Sequence, residues 1–214
     1  MSSEFLAISL ERDGGEAAVM ARAQRADACR NRDRLLDVAA EAFATWGVDA
    51  SLEKIAKCAG VGIGTLYRHF PTRDALVEAV FRHNVDLLCD GADELSATLP
   101  PDEALGQWMQ RFVAYVGTKK GLATYLKSVV SADSDLFVST HARVQATIGR
   151  LVDAAADAGT IRPGVEGMDL LRALSGVCLM ADAPGGPEQG TKVAALLMDG
   201  LRYGAPVTGA PAPA

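Results

Sequence analysis

The sequence has few of the features that mark sheets, disulfide staples, membrane spans or catalytic centres. Aromatic residues fill only 6% of its 214 positions, and no extended alternation of Val, Ile or Thr appears, so strands are disfavoured against helices built from Ala and Leu. The four cysteines, Cys29, Cys58, Cys89 and Cys178, stand far apart with no C-x-x-C pair. That argues against a zinc site and a dense disulfide framework, and leaves the cysteines as expected small apolar core residues. No stretch approaches the roughly 18 uninterrupted apolar residues of a membrane span, and no basic region followed by an apolar run marks a secretory leader. A cytoplasmic protein without a membrane partner is expected. Catalytic signatures are missing as well. His83 and His141 have no carboxylate or cysteine at metal-ligand spacing, no G-x-S-x-G occurs, and the glycines of Gly60 to Gly64 follow a helical stretch instead of a strand. No enzyme activity, cofactor or metal is expected.

Hydrophobic residues make up 49% of the chain, enough for a sizeable core, and the expected class is all-α. The net charge of -6 argues at first against nucleic acid, but it is unevenly placed. The first 21 residues hold one Lys/Arg against four acids, residues 22–74 hold nine against seven, and the remainder is again acidic. One cationic patch on an anionic body disfavours wrong orientations at DNA and suits a site-specific binder.

Residues 1–27, acidic and containing Gly14-Gly15, read as a flexible arm. Residues 28–88 read as one compact helical unit. Leu35, Leu36, Val38, Ala39, Ala42 and Phe43 recur at helical spacing up to Trp46-Gly47, where Gly can close a helix in the left-handed conformation. Ser51 is a suitable N-cap for a short helix with Leu52, Ile55 and Ala56 on one face. Gly60-Val61-Gly62 breaks it, a third helix follows to Phe70, and Thr72 caps a fourth beyond Pro71. Residues 89–204 read as a second helical unit, with helices from Pro100-Pro101, from Leu122 after a break at Gly121, from about Asp135 to Ala158, and two more split by Pro184-Gly185-Gly186-Pro187. About nine helices result. Residues 205–214, rich in Ala, Pro and Gly, read as a disordered tail.

A capped helix, a three-residue turn with Gly and a second short helix across 51–70 form the layout of a DNA-reading helix-turn-helix. Ile55, Ala56, Val61 and Leu66 are spaced to pack the pair, and Gly60 can take the positive φ of the turn. The third helix displays Thr65, Tyr67, Arg68 and His69. Gly62 and Gly64 let the backbone approach phosphates or base edges, and Ser51 and Arg73 are placed to flank the helix with further phosphate contacts.

Gly62-Ile63-Gly64-Thr65-Leu66-Tyr67-Arg68-His69-Phe70 followed by Pro71-Thr72-Arg73-Asp74-Ala75-Leu76 resembles the N-terminal domain of TetR-type transcriptional regulators. The likeness extends back through Ala40, Phe43, Gly47, Ile55, Ala56 and Gly60. That family usually has Lys at the position of Arg73, a change that keeps the charge and alters its geometry. The region from Leu151 to Ile161 and the helices after it resemble the SbtR-like subset. The resemblance implies a homodimer whose C-terminal helices hold a small-molecule effector and whose last two helices form the dimer interface. It also implies a repressor released from a pseudo-palindromic, double-stranded operator by that effector. The alternative is a ligand-binding helical scaffold dimer that has lost DNA recognition. Candidate pocket residues are Trp108, Met109, Phe112, Tyr115, Tyr125 and Phe137, although such stripes are more often core than cage. Candidate dimer residues are Leu170, Leu171, Leu174, Val177, Val193, Leu196, Leu197 and Leu201, because two largely apolar helices at a chain end need a partner.

Overall fold

The computed structural model describes residues 31–131, 134–179 and 186–204; within these, the side chains of residues 117–120, 177–179 and 186–187 are not described. The expected arm, the expected tail, Cys29 and the Pro184-Gly185 part of the last inter-helix break lie outside the described residues. Eight helical segments occur among those described and no strand: α1 (31–46), α2 (Leu52–Cys58), α3 (Ile63–His69), α4 (Arg73–Thr98), α5 (Pro101–Val129), α6 (Asp135–Asp157), α7 (Gly167–Leu179) and α8 (Gly186–Arg202).

Local chemistry sets the first four. Gly47 closes α1 with φ +80 and Gly60 turns the chain between α2 and α3 with φ +68, conformations that a β-carbon penalises. Ser51 Oγ accepts the backbone N–H of Lys54, and Thr72 Oγ1 accepts that of Ala75 at 3.1 Å, so both N-caps are satisfied by side chains. Leu35, Leu36, Ala39, Ala42 and Phe43 of α1 meet Ile55, Ala56 and Leu66 in one buried cluster that continues into Leu76, Val77 and Val80 of α4.

Two expectations change. Gly121 does not break the chain: α5 runs unbroken from Pro101 to Val129, because Gly in a helix interior costs only about 1 kcal/mol and Leu122 and Leu126 beyond it are buried. The unit boundary expected at 88/89 falls inside α4, which continues to Thr98 and so belongs to both halves.

In the C-terminal half α5 is the hub and packs against α4, α8, α6 and α7. Trp108 is fully buried, donates its indole N–H to the Leu88 carbonyl at 3.0 Å, and stacks on Phe112 with centroids 5.6 Å apart. A charged ladder joins α4 to α6: Arg143 bridges Asp86 and Asp90, and Arg150 meets Asp93 at 3.0 Å. On α7, Gly167 sits so close to α6 that an added β-carbon would lie 3.0 Å from the Gly149 backbone. The loop after α6 is tied to α8 by Arg162 N–H donating to the Leu201 carbonyl at 2.8 Å.

Candidate nucleic-acid interface and ligand cavity

The helix-turn-helix is held from both sides by arginines. From α1, Arg34 donates through Nε and Nη2 to the Ala59 carbonyl at the end of α2, placing a cation where the last carbonyls of a helix need a donor. A β-carbon at Gly60 would lie 2.5 Å from Arg34 Nη2, so glycine there serves both the turn and this cap. Arg32 lies over the Phe70 ring at 5.6 Å. From α4, Arg73 Nη1 donates to the carbonyls of Val48 and Ala50, each at 2.7 Å, and clamps the loop that leads into α2. His83 on α4 meets Asp37 on α1 at 2.8 Å.

This changes the reading of two expected phosphate ligands. Ser51 caps α2 and donates its hydroxyl to Glu53 Oε2 at 2.6 Å, a bond that holds the Glu53 carboxyl below its ordinary pKa. Arg73 is half-buried on the loop carbonyls. Both residues shape the scaffold, which spacing alone does not reveal.

The other expected residues share the outer side of α3. Gly62, Gly64, Tyr67, Arg68 and His69 are exposed and Thr65 is half-buried, while Leu66 points into the core. A β-carbon at Gly62 or Gly64 would meet nothing within 4 Å, and neither takes a positive φ, so the chain's own packing does not require glycine at these positions. Ile63 adds an exposed apolar side chain. No acid stands in the first turn of α3, and Arg68 and His69 close its last.

A cavity of about 270 Å³ opens between α4, α5, α6 and α7. Its walls follow helical spacing: Phe81 and Val85 on α4; Phe112, Val116, Ala123 and Lys127 on α5; Phe137, Thr140, His141 and Val144 on α6; Leu171 and Ser175 on α7. Of the expected pocket residues, Phe112, Tyr115 and Phe137 line it. Burial pushes the Tyr115 phenol far above its ordinary pKa, so it stays neutral. Trp108 and Met109 do not line it; both are fully buried in the core. Tyr125 points to the opposite side of α5 from Ala123 and Lys127, two residues away on either side. Its hydroxyl donates to Asp74 Oδ1 at 2.7 Å, a bond that lifts the Tyr125 phenol above its usual value. Lys127 and His141 were not foreseen as cavity residues. Lys127 shares a face with Phe112 and Val116 only if α5 is read through Gly121.

The expected dimer residues divide. Leu170, Leu171, Leu174 and Leu201 are buried within the protomer, Leu171 against the cavity, because an apolar helix first satisfies its own core. Leu196 is 69% exposed and Val193 and Leu197 are half-buried. The side chain of Val177 and that of Cys178 lie outside the described residues. Cys89 is buried, and burial raises its thiol pKa; Cys58, at the exposed end of α2, is not the core residue expected. Among the described residues no group of His, Cys, Asp and Glu is placed to hold a metal ion, and no helix is long and apolar enough to cross a membrane.

Comparison with known proteins agrees with this arrangement over 79% to 84% of the chain. Residues 35–80 match the family described as bacterial regulatory proteins, tetR family, and residues 100–203 match the transcriptional regulator SbtR-like C-terminal domain. The HTH-type transcriptional repressor KstR2 of Mycolicibacterium smegmatis is 30% identical over 187 residues, covering 79% of this chain and 90% of that one. The crystal structure of the TetR transcriptional regulator SCO0520 from Streptomyces coelicolor superposes with a TM-score of 0.73 at 44% identity, covering 80% of this chain and 98% of that one. A TetR transcription regulatory protein from Mycobacterium vanbaalenii gives 0.69 at 37% identity, covering 84% and 99%. These relatives are transcription regulators and not enzymes. The chain belongs to the TetR family and is a DNA-binding transcription regulator with an N-terminal helix-turn-helix and an SbtR-like helical C-terminal domain.

Proposed function

We propose that the protein is a cytoplasmic, homodimeric repressor that leaves a pseudo-palindromic operator when a small molecule enters the cavity. The observation that carries this reading is the double membership of α4. Phe81 and Val85 form a cavity wall, and Arg73 at the start of the same helix holds the loop that positions α2. A ligand that favours one placement of α4 therefore favours one placement of the reading head. Coupling of about 1 to 3 kcal/mol changes operator affinity about 5- to 150-fold.

Gly64, Thr65, Tyr67 and Arg68 on α3 read the major groove, with Gly62 and His69 at its ends. Glycines that the protein's own packing does not require leave room for a groove edge or phosphate. Two such heads meet half-sites about 34 to 36 Å apart. The dimer forms through the side of α8 that carries the exposed Leu196 and the half-buried Val193 and Leu197, which flank the inward Ala194, Met198 and Leu201, together with α7. The repressor sense is supported by the relative whose name carries it.

Fluorescence anisotropy on DNA upstream of the protein's own gene, against a shuffled control and across a salt series, tests the reading. Specific binding weakened at least tenfold by Tyr67→Ala, with an affinity that falls with salt, is expected. Equal affinity for operator and shuffled DNA would overturn it.

A further inference from the structure

The cavity lining narrows the chemistry of what can occupy it. Size comes first. An apolar cavity of about 150 Å³ holds benzene, and pockets for drug-sized ligands begin near about 300 Å³, so 270 Å³ accommodates one ring with a short tail. A long acyl chain or a nucleotide would extend beyond it into solvent. The wall comes second. Phe81, Phe112 and Phe137 enter from three different helices, and Phe81 and Phe137 already meet edge to face with centroids 5.7 Å apart, the geometry into which a further flat ring packs.

Charge comes third. The chain has 27 acids against 21 Lys and Arg, yet among the described residues no Asp or Glu lines this cavity, while Lys127 and His141 do. Two other concave surfaces among the described residues each include carboxylates: Glu78 and Asp86 between α1 and α4, and Glu103 and Asp199 between α5 and α8. An acid-free hollow with a lysine on one wall and a histidine on the next favours an anion. The Thr140 hydroxyl donates to the Leu136 carbonyl at 2.6 Å, so it does not compete for the role of donor to the ligand.

We infer, building on the effector-cavity reading above, that the effector is a compact monocarboxylate bearing one aromatic or alicyclic ring. The ring sits among Phe81, Phe112 and Phe137, and the carboxylate faces Lys127 and His141.

The test is isothermal titration of the full-length, DNA-free protein with 3-phenylpropionate and 3-cyclohexylpropionate, against 3-phenylpropionamide, 3-phenylpropylamine and palmitate. Expected is binding of at least one ring acid at least tenfold tighter than the amide, the amine and palmitate. Lys127→Met should erase most of that preference while leaving amide binding unchanged, and Val144→Trp should abolish binding. If Val144→Trp lowers the melting temperature, Thr140→Phe fills the same space from a half-exposed position. Equal or tighter binding of the amide or amine, tighter binding of palmitate, no heat from either acid, or undiminished binding in both filled variants would each overturn the inference. Operator affinity of the ligand-free protein is measured separately, so loss of the regulator reading and loss of the ligand class give different results.

Discussion

At Arg73 a single guanidinium nitrogen serves two carbonyls, those of Val48 and Ala50. Hydrogen bonds from a charged group contribute about 1.5 to 3 kcal/mol, so Arg73→Met should lower the melting temperature by roughly 3 to 12 °C and weaken operator binding. Arg73→Lys, which keeps the charge and can reach one carbonyl, should lose less in both measurements. Gly60→Ala meets two penalties at once, a left-handed φ and the Arg34 guanidinium. A destabilisation of at least about 1 to 2 kcal/mol is expected in thermal melts, while Tyr67→Ala, on an exposed side chain, should leave the melt unchanged. These residues differ in how readable they are in sequence. Gly60, Ser51 and Thr72 are legible because turn and cap chemistry acts over three or four positions. The clamps of Arg34 and Arg73 each reach across about 25 residues, and no local rule points to their acceptors.

Helices show the same division at a larger scale. The boundaries of α2, α3 and α6 follow from caps, glycines and apolar spacing, and the structure places them within a residue or two of those signals. α5 does not, because Gly121 reads as punctuation while the buried Leu122 and Leu126 carry the helix through it. That one misreading hides the far part of the cavity's α5 wall, Ala123 and Lys127, while Phe112 and Tyr115 before Gly121 are legible. Periodicity also identifies a face without giving depth along the axis, which is why Trp108 and Met109 resemble pocket residues and are core. Between elements, Tyr125 on α5 holds Asp74 in the first turn of α4, and its chain neighbours at Ala123 and Lys127 line the cavity. Tyr125→Phe should cost about 0.5 to 1.5 kcal/mol and shift the concentration of effector needed for release more than it shifts melting. An unchanged response curve would show that α4 is moved by another contact. The Arg143 and Arg150 ladder is solvent-exposed, so Arg143→Gln should lower stability by no more than about 1 kcal/mol.

For the whole molecule, the proposed interface predicts that an outward position on α8 serves assembly while a buried position on α7 serves folding. Leu196→Asp, on an outward position, should give a folded monomer by light scattering with weakened operator binding, whereas Leu174→Asp, at a fully buried position, should unfold the protomer. A Leu196→Asp protein that keeps the dimer mass would move the interface away from this face. Dimer contacts are the part of the molecule least legible in a sequence, since an apolar residue looks the same whether it meets its own chain or a copy.

The length of α4 has a mechanical consequence. From Val85 in the cavity wall to Arg73 at the head is roughly twelve residues of unbroken helix, about 18 Å at 1.5 Å per residue. If that stretch pivots as a rigid rod, a tilt of about 5° at the cavity carries Arg73 about 1.6 Å, several times the latitude of a good hydrogen bond, which spans about 0.5 Å. A lever of that ratio needs only a small push, so under the proposed mechanism a single ring in the hollow suffices to lift a reading head out of register with its groove.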